Sequence, residues 1–181
     1  MSKFNGLGMN LGNLSLLSDA ESRSISAENF NGEKGKGGMA TEGFGAGFSS
    51  ELGQGWKVSP AIVIKPGATA VIADINGPGA IQSMWFAGYV GRDFIMRIYW
   101  ENQAQPSVEC PLPDFFATGW TNNDGAFLKG PFSQLNSLPV AVNPNRGLNC
   151  FWEMPFRKHC LITMENRGLK RLPTSLWMGK N

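Results

Sequence analysis

The chain has 181 residues, including 23 Gly and 11 Pro, with 42% hydrophobic residues, 17% charged residues and a net charge of +2 at pH 7. Its aromatic and β-branched content is too high for a disordered chain, and its glycines keep no collagen period. Gly and Pro recur along the whole length and break helices wherever they fall, so a helical bundle is excluded and a loop-rich, mostly β chain is expected.

Residues 1–21 place Leu7, Leu11, Leu14 and Leu17 at helical spacing before Ser18-Asp19, which predicts a short N-terminal helical segment. Asn and Gly interrupt this stretch, so it lacks the apolar core of a signal peptide, and a cytoplasmic location is expected. Residues 22–55 are rich in Gly, Ser and charge, with no apolar period, and predict a long surface excursion.

From Trp56 onward, short runs alternate with turn signals. Val58–Ile64, Thr69–Ile75, Ala80–Tyr89 and Phe94–Trp100 read as strands, separated by Lys65-Pro66-Gly67, Asn76-Gly77-Pro78-Gly79 and Gly91-Arg92-Asp93. Phe94, Ile95, Met96, Arg97, Ile98, Tyr99 and Trp100 have the period-2 pattern of a strand with one face in a core. Further strands are expected at Ser107–Cys110, Leu138–Val142, Leu148–Trp152 and Cys160–Glu165. Pro113–Gly119, with an early proline, an early acid and a terminal glycine, predicts one short helix. The fold class expected is all-β: a jelly-roll β-sandwich with long loops and one or two short helices.

The chemistry-bearing residues are few. Cys110, Cys150 and Cys160 sit among apolar residues and read as buried, reduced thiols. With one histidine, His159, and no Cys-x-x-Cys, no metal set is expected and no cofactor is implied. The basic residues form no stripe suited to nucleic acid, and no apolar run reaches membrane-spanning length, so neither partner is expected. The carboxylates Glu28, Glu33, Asp74, Glu101, Glu109, Asp114, Glu153 and Glu165 include no pair that spacing alone marks as a glycosidase acid and nucleophile. Aromatics beside polar groups suggest faces for sugar rings, with core packing as the alternative for most of them. Trp120, between Gly119 and the polar run Thr121–Gly125, is the best candidate for exposure.

Several segments together resemble a known family. They are Ser22-Arg23-Ser24-Ile25-Ser26, Glu33-Lys34-Gly35-Lys36-Gly37-Gly38, Arg97-Ile98-Tyr99-Trp100, Pro106-Ser107-Val108-Glu109, Asp114-Phe115-Phe116, Ser137-Leu138-Pro139-Val140 and Asn149–Lys158. Their order is similar to that of the proteins first catalogued as domain of unknown function 2961, now glycoside hydrolase family 172. The resemblance runs from about Ser22 to Arg167. It implies retaining chemistry at fructofuranosyl or arabinofuranosyl linkages, carried out by two glutamates. It also implies two tandem jelly rolls per protomer and assembly into trimers or larger homo-oligomers.

The family's catalytic glutamates belong to a Gly-Glu-Gly-Glu run and a Thr-Glu-Asp-Tyr run in its second half, and this chain holds neither. No catalytic residue is therefore carried over. The expected layout is a short helical segment at 1–21, a jelly roll at 22–168 and a divergent tail at 169–181. A frameshift, premature stop or gene fragment would produce such a tail, and a natural single-domain variant is the alternative. The expected ligand is a furanoside, with Arg23, Asp114 and Trp120 as candidate contacts. The function expected is that of the N-terminal part of a glycoside hydrolase, inactive as this chain. The alternative is a non-catalytic carbohydrate-binding or oligomer-assembly module.

Overall fold

A computed structural model describes residues 4–119, 135–143, 147–168 and 175–178. The strands are β1 (Ala61–Val63), β2 (Thr69–Asn76), β3 (Gly79–Ile81), β4 (Met84–Gly88), β5 (Phe94–Trp100) and β6 (Val108–Pro111). They continue as β7 (Leu135–Asn136), β8 (Val140–Val142), β9 (Leu148–Cys150), β10 (Met154–Phe156), β11 (His159–Asn166) and β12 (Ser175–Met178). Two short helices are α1 (Ala46–Ser49) and α2 (Leu112–Phe115). Every described strand pairing is antiparallel.

One sheet runs β1-β12-β4-β9-β8-β7 and a second runs β2-β11-β5-β6, while β3 and β10 form a separate ribbon. Phe94, Met96 and Ile98 on β5 are all fully buried, as the alternation along that strand requires. They join Ile162 and Met164 of β11 in one apolar cluster with Phe86, Val142 and Leu148 from the six-stranded sheet. Two sheets sharing one core in this way make a β-sandwich. Along β11 the register against β2 slips between Ile162 and Thr163. That bulge gives β2 one extra residue, which is why the consecutive Ile72 and Ala73 are both buried.

The N-terminal helix expected over residues 1–21 does not form among residues 4–21, which carry turns instead. Gly6 and Gly8 take positive φ. The Asn10 side-chain carbonyl accepts from Gly12 N (2.8 Å), and the Asn13 side-chain carbonyl accepts from Asn10 N (2.8 Å). Such side-chain bonds compete with the helical ladder and win in a stretch already weakened by glycine. Leu11 and Leu17 consequently stand 92% and 89% exposed.

Three smaller differences follow from packing. The run 80–89 divides into β3 and β4 in different sheets, because β3 pairs with β10 while β4 lies between β12 and β9. The excursion at 22–55 is partly tucked in: buried Asn29 donates to Ser24 O (3.1 Å) and Glu33 O (2.9 Å), and Ala27 joins the core. Residues 175–178, in the stretch expected to be a divergent tail, run as a strand inside the six-stranded sheet.

Gly77 packs the β2–β3 turn against the turn that follows β10. Its amide donates to Lys158 O (2.7 Å), and a Cβ there would meet Arg157 O at 2.8 Å, so the contact needs glycine. Cys150 and Cys160 are buried and Cys110 is half-buried, all as free thiols. Burial pushes the Cys160 thiol up to about 12 and raises the other two, so all three act as small apolar side chains.

Candidate functional site

The surface around α2 carries Asp114 and Phe115, which meet Arg92 and Trp152. Pro111 precedes the helix and Pro113 lies in its first turn, where a missing amide costs nothing. Leu112 and the following Phe116 are fully buried and pin the helix to the core. That anchoring leaves Asp114 and Phe115 half-exposed on its outer side. The helix ends as Ala117 takes φ 57°, and Thr118 N returns to Pro113 O (2.9 Å).

Asp114 forms an ion pair with Arg92, which also donates to Gly119 O. The side chains of Arg92 and Asp114 are 28% and 30% exposed, so the pair is half-desolvated while its edge stays open to solvent. Arg92 sits in the β4–β5 turn, which a bond from the Tyr89 hydroxyl to Asp93 (2.7 Å) braces. Burial and that bond hold the Tyr89 phenol well above its ordinary range, so it remains a donor.

Phe115 meets Trp152 edge to face, with ring centroids 5.5 Å apart. Trp152 is 44% exposed and its neighbour Phe151 is 52% exposed. The Trp152 indole, braced by Phe115, presents an apolar ring face, and Asp114, the residue before Phe115 on α2, pairs with a planar guanidinium that carries several donors. Beside this surface, Glu153 accepts from Gly8 N (2.9 and 3.2 Å) and from Gln82 Nε2 (3.1 Å), tying down the N-terminal arm.

The three residues singled out by sequence have different placements. Asp114 lies at this surface. Arg23 is exposed and engaged locally with Glu21 and Ser22 O, with Lys34 also 3.8 Å from Glu21. Its bonds tie it to its own loop and not to α2. Trp120 lies outside the described residues, immediately after the Gly119 whose carbonyl Arg92 holds. Arg92 was missed because Gly91-Arg92-Asp93 reads only as turn chemistry, and nothing in the chain order links it to Asp114.

Several other carboxylates serve structural ties. Glu28 accepts from Ser59 N (2.7 Å), Glu33 from Asn31 (2.7 Å), and Glu101 from the amides of Arg157 (2.6 Å) and Lys158 (3.0 Å). Asp74 meets His159 Nε2 at 2.6 Å. On the outer face of the four-stranded sheet, Arg97 bridges Glu109 and Glu165, the latter at 2.8 Å. Hydrogen bonding to Glu109 is the largest influence raising the Arg97 guanidinium above its already high value. None of these arrangements aims two carboxylates across a common cleft as glycoside hydrolysis needs.

Residues 55–171 match the first β-sandwich domain of glycoside hydrolase family 172. No curated protein matches the sequence.

Proposed function

From the chain's membership of glycoside hydrolase family 172, as its first β-sandwich domain, we propose that it contributes a carbohydrate-contacting surface and does not by itself cleave glycosidic bonds. The observation that carries this reading is the exposed Trp152, braced by Phe115, the α2 neighbour of Asp114 in the half-buried Arg92–Asp114 pair. A furanose ring stacks on the indole while two of its hydroxyls bond to Arg92 and Asp114. Trp120 follows directly on Gly119 and is a further contact in this reading, whereas the local partners of Arg23 favour a role in its loop.

The inactivity is supported by the carboxylates: Glu28, Glu101 and Glu165 are engaged in folding ties, and the chain holds neither glutamate run of the family's second half. In this reading the Arg92–Asp114 pair orients a ring, and no residue of the chain protonates a leaving group.

The test pairs calorimetric titration of a methyl α-D-arabinofuranoside with an aryl α-D-arabinofuranoside hydrolysis assay. The chain is expected to bind the first saturably and to release no phenol from the second. Asp114→Ala is expected to weaken binding by about tenfold or more, the worth of one or two hydrogen bonds to a charged group. Sustained phenol release by the wild-type chain, or unchanged affinity in the folded variant, contradicts the proposal.

A second reading, assembly of several copies, is favoured by one observation. Leu11, Leu14, Leu16 and Leu17 form an apolar arm that the fold leaves largely in solvent.

A further inference from the structure

We infer that the gap between β1 and β4 is a strand-acceptor slot, which takes one extended segment antiparallel to both walls, and that residues 175–178 are its resident occupant. The pairings carry this. On one side Ala61, Ile62 and Val63 are in register with Trp177, Leu176 and Ser175. On the other, Phe86, Ala87 and Gly88 are in register with Met178, Trp177 and Leu176. Among the described pairings, β12 is the sole strand partner of β1, whereas β4 also has β9. Without an occupant, β1 loses its place in the sheet, and β4 becomes an open edge with a row of backbone groups to satisfy.

The occupant lies beyond the family-matched span, which ends at residue 171. Physically that is no obstacle. Main-chain bonds supply the affinity of an added strand, and alternate side-chain positions supply its specificity. Trp177 lies in register between Ala61 and Ala87, and Leu176 between Ile62 and Gly88. The partner this slot accepts is thus an extended peptide, with the chain's own tail as the example at hand. While the tail is in place, its high effective concentration keeps competitors out.

The test compares the intact chain with Leu176→Pro by amide hydrogen exchange, with and without a fluorescein-labelled peptide of residues 172–181. In the intact chain the amides of residues 61–63 are expected to exchange at least about tenfold more slowly than in the variant, because they sit in a paired sheet. The intact chain is expected not to bind the peptide. The variant should bind it one to one and recover the lost protection. If Leu176→Pro does not fold alone, it is refolded with saturating peptide, and recovery of β-sheet circular dichroism is the expected result. Fast exchange at residues 61–63 in the intact chain overturns the inference. So does full protection in the variant, or failure of the variant to bind or refold with the peptide.

Discussion

Phe94→Ala is expected to lower the stability of the chain by about 3–5 kcal/mol, the usual cost of deleting a fully buried aromatic ring. Phe94 opens β5 and is fully buried. Its ring meets Tyr89 edge-on at 5.7 Å, and its backbone is in register with Asn166 on β11. The cavity would therefore open between the four-stranded sheet and the β4–β5 turn, where Tyr89 braces Asp93. Domains of this size have about 5–15 kcal/mol in total, so the variant should keep only part of its cooperative unfolding transition. Urea unfolding followed by tryptophan fluorescence checks this, with Phe94→Leu as the milder control. A loss below about 1 kcal/mol would mean that Phe94 is not a core residue.

The second large effect is expected at Asn166, a fully buried polar side chain at the end of β11. Its side-chain amide donates to Ile64 O (2.7 Å) and its side-chain carbonyl accepts from Gly168 N (2.8 Å). Its backbone adds bonds with Ala68 O (2.9 Å) and Gly67 N (2.7 Å), so one residue fastens the β1–β2 connection to the end of β11. Asn166→Leu keeps the volume and removes both side-chain bonds. The expected cost is about 2–3 kcal/mol, because buried groups lose partners that no water replaces. Asn166→Asp, which keeps an acceptor for Gly168 N and loses the donor to Ile64 O, also tests the donor. Denaturant midpoints of the two variants equal to that of the wild type would contradict this role.

The legible parts of the fold were those whose burial is periodic. Phe94, Met96 and Ile98 announce β5 because alternate residues of a half-buried strand must be apolar, and Cys160, Ile162 and Met164 announce β11 by the same rule. The leucines at 7–17 carry a helical period as well, but their glycines and asparagines favour local turns. Periodicity alone cannot weigh those side-chain bonds against a helix. The strand at 175–178 was hidden for another reason. A strand pairing needs only an extended backbone, which residues 175–178 supply without a regular apolar alternation to announce it. Of the candidate site, Asp114 was legible as an early acid in a short helix. Arg92 was not, because a distance of 22 residues separates it in sequence from the carboxylate it meets.

The α2 surface is proposed to contact sugar. The most direct test is a heteronuclear NMR titration of the 181-residue chain with methyl α-D-arabinofuranoside. The expected result is saturable shifts confined to the Arg92 guanidinium, the Asp114 and Phe115 amides and the Trp152 indole N–H, which in Asp114→Ala need about tenfold or more sugar to appear. A spectrum unchanged at saturating sugar, or a variant that titrates at the wild-type concentration, would contradict it.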